Sequence, residues 1–232
     1  MDATSSSDAL GPVVERLTRV PLFSHLDESE LTRIAVAARQ KSYPKHSMIL
    51  FEDDPGDALY VVLSGEVKVV LVGEDGREVI LSILKEADFF GEMALIDDQP
   101  RSAHVIAVTD ADLLVLRREE FHQCLQESPH IALGLLRELS RRLRQADDKI
   151  GGLILLDVNG RIARLLLEWA SEHDGQLIPR TVTHHTIAQM VGSSRETVSR
   201  TLKEFVDGAL IEVTRDRIAI LNRERLEQLA GL

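Results

Sequence analysis

The sequence predicts an α+β protein in three consecutive parts: an antiparallel β-barrel with flanking helices, one long helix, and a small C-terminal domain of helices and a β-hairpin. Three observations predict it. Short runs of strand-forming residues, broken by Gly, Pro and Asp, extend from about residue 43 to 117. An apolar repeat with intervals of 3 and 4 residues fills residues 129–156. Two helical segments joined by Gly192-Ser193-Ser194 then precede two short apolar strands.

The composition is typical of a folded, water-soluble chain. The 232 residues are 44% hydrophobic and 28% charged, which is enough for two modest domains with separate cores. No apolar run approaches the roughly 20 residues that cross a bilayer, and the first residues do not resemble a signal peptide. We therefore expect a cytoplasmic protein with no membrane partner. The one cysteine, Cys124, excludes an intramolecular disulfide framework and a multi-cysteine metal cluster.

Common catalytic motifs are missing from the sequence. It contains no GxxxxGK loop, no HExxH and no GxSxG, and no Cys and His are placed as a catalytic pair. We therefore expect a protein that is not an enzyme and that holds no metal or permanent cofactor.

The net charge of −11 comes from the first part of the chain. Residues 1–159 hold 17 Lys and Arg against 28 Asp and Glu, whereas residues 160–232 hold 10 of each kind. A neutral domain can still present a local basic face to phosphates. Charge alone therefore leaves nucleic-acid binding open for the C-terminal part.

The first domain is expected at residues 13–128. Residues 1–12 (MDATSSSDALGP) are interpreted as a disordered tail, and apolar spacing predicts helical segments within residues 13–40. In the strand-rich region that follows, Gly73-Glu74-Asp75-Gly76 lies between two strand-like runs and predicts a hairpin.

Residues 129–157 are predicted to form a long helix followed by a hinge. Pro129 suits a first helical turn, and Asp157 with the following Val-Asn-Gly predicts a hinge and a helix cap. The spacing favours a two-helix coiled coil, and hence a homodimer. The alternative is one amphipathic helix packed on its own barrel. The apolar positions of this seam are Ala132, Leu136, Leu139, Leu143, Ala146, Ile150 and Leu153.

Residues 158–232 have the pattern of a winged helix-turn-helix domain. A predicted helix over 161–171 is followed by a helix-turn-helix at about 184–206, with its tight turn at residues 192–194. The segments LIEV and IAIL, joined by the charged turn TRDR, predict a β-hairpin. Helix-turn-helix units also occur as structural elements without a role in DNA binding, so this pattern alone does not establish that the domain binds DNA.

The densest chemical signal is FFGEMALIDDQPRSAHVIAV, residues 89–108. Arg101 supplies a planar, permanently charged group that can hold a phosphate through two parallel hydrogen bonds. Glu92 can accept a hydrogen bond from a ribose 2′-hydroxyl, and Gly91 allows the backbone to approach a ligand closely. The alternative is a Glu92–Arg101 salt bridge that closes a surface loop.

This stretch closely resembles the phosphate-binding cassette of cyclic-nucleotide-binding domains, which has the pattern FGE-[LM]-A-L followed by PR-[ST/A]-A. The resemblance extends to the CRP/FNR family of regulators, named after the cyclic AMP receptor. Residues 20–117 resemble the jelly-roll sensor barrel, 129–156 the dimer helix and 160–221 the winged helix-turn-helix. The resemblance implies a homodimeric transcription regulator whose partners are double-stranded DNA and RNA polymerase.

The resemblance also assigns roles at the ligand site. Gly91 shapes the turn, Glu92 takes the ribose hydroxyl, Arg101 and Ser102 hold the cyclic phosphate, and Arg142 reaches the nucleotide.

The base contact departs from the family pattern. Cyclic AMP receptors usually have Thr, then Ser or Asn, where this long helix has Ala146 and Asp147. A lost hydrogen bond to a base costs on the order of 1 kcal/mol. Cyclic AMP is the expected effector. Cyclic GMP, which Ser102 would also suit, and activity without any ligand are the alternatives.

The segment GSSRETVSRTLKEF, residues 192–205, begins the predicted recognition helix. Arg can read guanine bidentately and Glu can accept from cytosine N4 in the major groove. The alternative is a capping box between Ser193 and Glu196, with Arg200 as a plain solvent charge. Val198, Leu202 and Phe205 are expected to pack on the domain core. The opposite face carries the candidate DNA contacts Arg195, Glu196, Ser199, Arg200 and Lys203.

The resemblance extends the DNA assignment. The Arg-Glu-x-x-x-Arg pattern matches cyclic AMP receptors and implies the half-site TGTGA. Thr183 and His184 occupy positions where family members touch backbone phosphates, although the family often has Arg at the second of them.

Overall fold

The computed structural model describes residues 4–171, 177–179, 182–215 and 217–232. The chain divides into two compact units, Met1–Arg142 and Leu143–Leu232. This division lies inside the long helix, whereas the sequence places the domain boundaries at the two ends of that helix. Within the described ranges, no helix is both long and apolar enough to cross a membrane.

The first unit begins with helices. Helix α1 covers Thr4–Thr18, a single 3₁₀ turn covers Pro21–Phe23, and α2 covers Glu28–Ala37. The prediction of a disordered tail is therefore wrong for residues 4–12. The physical reason is that α1 is amphipathic: Leu17 is fully buried, and Leu10, Val13 and Val14 pack against the same core.

Eight strands follow in two antiparallel sheets. The sheet orders are β1-β8-β3-β6 and β2-β7-β4-β5, which is the order of a jelly roll. The predicted α+β class is thereby confirmed. The strands are β1 (Arg39–Tyr43), β2 (Met48–Leu50), β3 (Ala58–Ser64), β4 (Val67–Val72), β5 (Glu78–Leu84), β6 (Phe89–Phe90), β7 (His104–Ala107) and β8 (Ala111–Arg117).

The predicted hairpin at residues 73–76 is confirmed between β4 and β5. The Gly73 N–H donates to the Arg77 carbonyl at 2.8 Å, and the Gly76 N–H donates to the Gly73 carbonyl at 2.8 Å. Gly76 has a φ of +78°, a conformation that glycine adopts without strain.

Strand β3 is buried on both faces, and its alternation distributes side chains to two cores. Leu59, Val61 and Leu63 pack with residues of the helices, including Leu17. The intervening residues, among them Tyr60, pack between the two sheets. The period of two along β3 therefore decides which of its side chains reach the interior between the sheets, where the candidate site begins.

Three further helices complete the first unit and lead out of it. The short α3 covers Met93–Ile96, α4 covers Arg118–Glu127, and α5 covers Pro129–Leu155. The predicted long helix is confirmed, including its start at Pro129. Ile131 and Leu135 are buried in the core of the first unit. In contrast, four positions of the predicted seam are 55–63% exposed in the single chain: Leu136, Leu143, Ile150 and Leu153.

The second unit contains the predicted helix-turn-helix and hairpin, together with two elements that the sequence reading did not predict. The three helices α6 (Val158–Ser171), α7 (His184–Val191) and α8 (Arg195–Asp207) agree with prediction to within about three residues. The hairpin strands are β10 (Ile211–Val213) and β11 (Arg217–Ile220), and β11 also pairs with β9 (Leu177–Pro179). Strand β9 and the last helix, α9 (Arg223–Ala230), are the two additions.

Two local predictions in the second unit are confirmed. Asp157 caps α6, because its Oδ1 accepts a hydrogen bond from the Gly160 N–H at 2.8 Å. Val198, Leu202 and Phe205 of α8 are buried in the core of the unit. One face of α8 is thereby held by packing, and its other face is left to solvent.

Candidate functional site

Arg101 is buried in a cradle of backbone carbonyls. Its Nη1 donates to the Gly91 carbonyl at 2.8 Å, and its Nη2 donates to the Ala58 carbonyl at 3.0 Å. Nη2 also contacts Asp57 Oδ1 at 3.2 Å, but the Asp57 side chain is 81% exposed, so water screens this ion pair. The buried Nε has no hydrogen-bond partner. Because burying a guanidinium is costly unless it is neutralised, this site is suited to a second anion.

Gly91 is required by this cradle. Its φ is +84°, and a Cβ placed on it would lie 2.7 Å from Arg101 Nη1 and 2.9 Å from the Ala58 carbonyl oxygen. The sequence predicts a close approach of the backbone to a ligand at this glycine, and that stays a prediction. In the structure, the group that lies against Gly91 is Arg101.

An aromatic pair lies beside Arg101. The rings of Tyr60 and Phe90 stack with centroids 5.1 Å apart, and the Arg101 guanidinium lies 5.8 Å from the Tyr60 ring. Burial, and then the Asp57 carboxylate, raises the pKa of Tyr60 to about 12, so its hydroxyl stays protonated at neutral pH. The adjoining cleft has a volume of about 440 Å³ and is lined by Ile49, Leu50, Asp54, Pro55, Asp57, Tyr60 and Arg101.

Glu92 is buried, with 2% of its surface exposed. Its Oε1 accepts a hydrogen bond from Arg142 Nη1 at 3.1 Å, and its Oε2 has no partner. Burial raises the pKa of Glu92 above its usual range, and the Arg142 guanidinium opposes that rise. The alternative of a Glu92–Arg101 salt bridge is wrong, because Glu92 pairs with Arg142 and Arg101 pairs with Asp57.

Arg142 comes to the site from α5. Its Nη2 donates to the Phe89 carbonyl at 2.6 Å, and the guanidinium lies 4.7 Å from the Phe89 ring. Its Nε donates to Glu138 Oε1 at 2.8 Å. Arg142 therefore connects α5 with β6 and with Glu92.

The other two predicted ligand residues, Ser102 and Ala146, have exposed side chains. Ser102 follows Arg101 and is exposed, with its hydroxyl 3.9 Å from Met93 Sδ. Ala146 and Asp147 are exposed on α5 and belong to the second unit. Within the first unit, the structure brings together Gly91, Glu92, Arg101 and Arg142, whereas a base contact by Ala146 stays a prediction.

Arg118, which no sequence pattern predicts as a site residue, holds the cassette in place. Its Nη2 donates to the Gly56 carbonyl at 2.7 Å and to the Ala94 carbonyl at 2.8 Å, and its Nη1 contacts Asp98 Oδ1 at 2.5 Å. These contacts join residues 20 to 62 positions apart, so no local pattern could indicate them. Glu138 was also missed, although its spacing of four residues from Arg142 on a helix is a visible signal.

The N-terminus of α8 presents a row of exposed polar side chains. Ser194 caps this helix, because its hydroxyl accepts from the Thr197 N–H at 3.1 Å. The alternative capping box at Ser193 is therefore wrong. Hydrogen bonds from its own N–H and from the Ser194 hydroxyl lower the pKa of Glu196, which is an ionised acceptor at neutral pH. The exposed residues on this face are Arg195, Glu196, Arg200 and Lys203.

The remaining predicted DNA contacts also have roles within the domain. Ser199 is half-buried, and its hydroxyl lies 2.8 Å from Nδ1 of His184. Thr183 caps α7 by accepting from the Thr186 N–H at 3.1 Å. Arg200 lies 4.0 Å from Glu204 in an exposed pair that contributes little to stability. The hydroxyls of Ser199 and Thr183 are thus already engaged within the domain.

Two families match this chain. Residues 40–128 match the family described as "Cyclic nucleotide-binding domain" and residues 160–229 match the "Crp-like helix-turn-helix domain". The "CRP-like cAMP-activated global transcriptional regulator" of Mycobacterium tuberculosis (strain CDC 1551 / Oshkosh) is 33% identical over 221 residues, covering 93% of this chain and 99% of that relative. The "cAMP-activated global transcriptional regulator CRP" of Salmonella typhimurium is 38% identical over 174 residues, covering 73% and 83%.

Solved structures of similar chains agree with the fold. The c-di-GMP responsive global regulator CLP of Xanthomonas campestris is 28% identical with a TM-score of 0.73, covering 84% of this chain and 99% of that one. The catabolite activator protein of Thermus thermophilus is 33% identical with a TM-score of 0.54, covering 91% and 98%.

Proposed function

Since this chain belongs to the CRP family of transcription regulators, in which a cyclic nucleotide-binding domain precedes a Crp-like helix-turn-helix domain, we propose that it is a homodimer that binds a TGTGA-type palindrome when it holds cyclic AMP. Like its relatives, which are transcriptional regulators, it is a cyclic-nucleotide-responsive DNA-binding regulator and not an enzyme. RNA polymerase is the expected protein partner.

The observation that carries the ligand assignment is a pair of buried polar atoms without partners. Glu92 Oε2 can accept a hydrogen bond, and Arg101 Nε can donate one. Unpaired buried groups of this kind each cost about 1–3 kcal/mol. A ligand with an anionic phosphate and a ribose hydroxyl supplies a partner to each. We assign the Ser102 hydroxyl to the same phosphate, because Ser102 follows Arg101 in the chain and is exposed.

The choice of cyclic AMP rests on the relatives that carry "cAMP-activated" in their names. Ala146 offers no hydrogen bond to a base, so base selection is expected to be weaker than in a receptor with a hydroxyl there. Cyclic GMP is the first alternative. A cyclic dinucleotide is the second, because the similar regulator CLP is c-di-GMP responsive.

The exposed apolar stripe of α5 supports the dimer. Leu136, Leu143, Ile150 and Leu153 recur with the spacing of a coiled-coil seam and are more than half exposed in the single chain. Full burial of such a side chain is worth roughly 1.5–3 kcal/mol. A second copy of the chain presents the same stripe, so two α5 helices can cover each other.

The exposed face of α8 supports the DNA assignment. Arg195 and Arg200 can each read a guanine, and the ionised Glu196 can accept from a cytosine amino group. Lys203 and Thr183 are assigned to the phosphates. Ser199 keeps a smaller role, because its hydroxyl is engaged by His184.

Control by the ligand follows from the position of Arg142. It lies on α5, which also carries the dimer stripe, and it pairs with Glu92 of the nucleotide site. A nucleotide bound at Glu92 and Arg101 therefore acts directly on this helix. It activates DNA binding only to the extent that it binds the DNA-competent arrangement more tightly than the other.

Two measurements test the proposal. Calorimetric titration of the full chain with cyclic AMP, cyclic GMP and cyclic di-GMP identifies the effector, and Arg101→Leu is expected to abolish binding. A gel shift on a TGTGA-N6-TCACA duplex, with a scrambled half-site as control, is then run with and without the bound nucleotide. If none of the three nucleotides binds, the ligand assignment is wrong. If a nucleotide binds but leaves DNA affinity unchanged, the proposed control is wrong.

A further inference from the structure

We propose that Glu138 is a positioning residue of the nucleotide site. It holds the Arg142 guanidinium so that Glu92 keeps one carboxylate oxygen free for the ribose hydroxyl of the ligand. This inference rests on the proposed function, since it concerns how the same site recognises ribose.

Glu138 is a buried carboxylate that two arginines hold on one side of α5. Only 7% of its surface is exposed. Oε2 accepts from Arg141 Nε at 2.8 Å, and Oε1 accepts from Arg141 Nη2 at 2.6 Å and from Arg142 Nε at 2.8 Å. Burial opposes ionisation, but the hydrogen bonds from Arg141 and then Arg142 outweigh it and lower the pKa of Glu138. Glu138 is therefore a fixed negative charge.

Arg142 is held in three directions at once. Its Nε donates to Glu138, its Nη1 to Glu92 Oε1 and its Nη2 to the Phe89 carbonyl. Its contact with Glu92 is consequently through a single hydrogen bond. An arginine beside a carboxylate otherwise favours the bidentate arrangement, in which two N–H groups occupy both oxygens. The two forks of a guanidinium are Nη1 with Nη2 and Nε with Nη2, and Arg141 binds Glu138 through the second of them. In Arg142 the Phe89 carbonyl engages Nη2, and Glu138 engages Nε and so holds the Nε–Nη2 edge away from Glu92.

The consequence lies at Glu92 Oε2, which is buried and has no partner. If Arg142 turned its Nε–Nη2 edge toward Glu92, both oxygens of Glu92 would be occupied by the protein. The ribose hydroxyl would then have to displace a charged donor in order to bind. Glu138 keeps this acceptor open, although Glu138 itself need not touch the ligand.

The charges of the cluster agree with this role. Glu92 and Glu138 carry two negative charges, and Arg141 and Arg142 carry two positive charges. Removal of the Glu138 charge leaves one cation in excess beside Glu92. Arg142 is then attracted by Glu92 alone and no longer by two carboxylates, which favours a second hydrogen bond from Arg142 to Glu92 Oε2.

The test compares cyclic AMP with 2′-deoxy cyclic AMP, which lacks the hydroxyl. Calorimetric titration is performed on the full chain, on Glu138→Gln and on Glu127→Gln. The last variant removes an exposed carboxylate that pairs with Arg33, outside the site. The unmodified protein is expected to prefer cyclic AMP by about tenfold or more, as a hydrogen bond to a charged group implies. In Glu138→Gln this ratio is expected to fall toward one. The change comes from weaker binding of cyclic AMP, with the 2′-deoxy affinity altered less than about twofold.

The outcomes separate a positioning role from a structural one. An unchanged ratio in Glu138→Gln, or an equal loss of affinity for both ligands, overturns the inference, as does the same effect in Glu127→Gln. If Glu138→Gln does not fold, Glu138→Asp is used, which keeps the charge but reaches Arg142 less well. An intermediate ratio then supports the inference and an unchanged one overturns it. Failure of the unmodified protein to bind either nucleotide overturns the proposed function instead.

Discussion

The guanidinium of Arg101 lies against the backbone of Gly91, whose carbonyl accepts a hydrogen bond from Nη1 at 2.8 Å. The same nitrogen would lie 2.7 Å from a Cβ added to Gly91. The two residues therefore depend on each other, because the absence of a side chain at Gly91 leaves room for the Arg101 guanidinium. Under the proposed function, phosphate binding is therefore expected to depend on the glycine as much as on the arginine.

Gly91→Ala tests this dependence of Arg101 on Gly91. We expect the free energy of unfolding to fall by about 1–3 kcal/mol, because alanine is strained at the φ of +84° and also displaces Arg101. Nucleotide affinity should fall at least tenfold. The matched control is Gly76→Ala, at a φ of +78° with no atom within 4 Å of the added Cβ. It should share the strain and keep nucleotide binding. Equal affinities for the two variants in calorimetric titration would contradict the prediction.

Leu143→Lys is expected to separate the proposed dimer into monomers. Leu143 is 63% exposed in the single chain and lies in the middle of the apolar stripe, so the substitution would bury a charge only in the dimer. Leu143 is a cleaner choice than Leu139, which is half-buried against the core of the first unit. Sedimentation should show monomers for this variant and dimers for Gln145→Lys, which adds the same charge at an exposed position outside the stripe. A Leu143→Lys dimer would disprove the coiled coil.

Two buried carboxylates should affect stability with opposite dependence on pH. The pKa of Glu92 is raised, so its contribution is present below the ordinary carboxyl range and is lost as pH rises through the raised value. The pKa of Glu138 is lowered, so its contribution is present above that range and is lost as pH falls. Urea unfolding as a function of pH should show the unmodified protein gaining stability relative to Glu92→Gln as pH falls. Relative to Glu138→Gln, the unmodified protein should lose stability as pH falls. If the two comparisons changed in the same direction with pH, the opposite pKa shifts of Glu92 and Glu138 would be refuted.

Ala146→Thr should tighten cyclic AMP binding. Under the proposed function, a hydroxyl at this position is expected to add a hydrogen bond to the base, worth on the order of 1 kcal/mol, or about fivefold in affinity. Asp147→Asn, a neighbouring change without a new hydroxyl, serves as the comparison in the same titration. Weaker binding by Ala146→Thr would indicate a pocket suited to a different or bulkier ligand.

Glu196→Ala and Lys203→Ala should affect DNA binding in different ways. Glu196 is ionised and exposed at the start of α8, so its loss should relax preference at one base-pair position, at a cost of roughly 1–3 kcal/mol for the preferred base. Lys203 is assigned to a phosphate, so its loss should weaken binding to all DNA sequences alike and reduce the salt dependence of binding by about one ion. Gel shifts against a set of single-base variants at two salt concentrations distinguish the two patterns. Unchanged base preference in Glu196→Ala would place another residue in the groove.

Much of the architecture could be predicted because it depends on residues close together in the chain. The Asp157 cap joins positions three residues apart, the hairpin at 73–76 is formed by its own turn residues, and the buried face of α8 follows the helical period. The prediction failed at residues 4–12, where a polar composition indicated a tail. Docking of the apolar side of α1 on the core decided otherwise.

The sequence by itself determined which residues form the candidate site, since the cassette pattern contains Gly91, Glu92 and Arg101. Only the tertiary structure decided how they pair. Glu92 binds Arg142, which lies 50 positions away, and Arg101 binds Asp57, which lies 44 positions away. The physical reason is that an ion pair depends on distance in space and on burial, and both are decided when the strands and α5 pack together. The same packing left one oxygen of Glu92 and one nitrogen of Arg101 without partners.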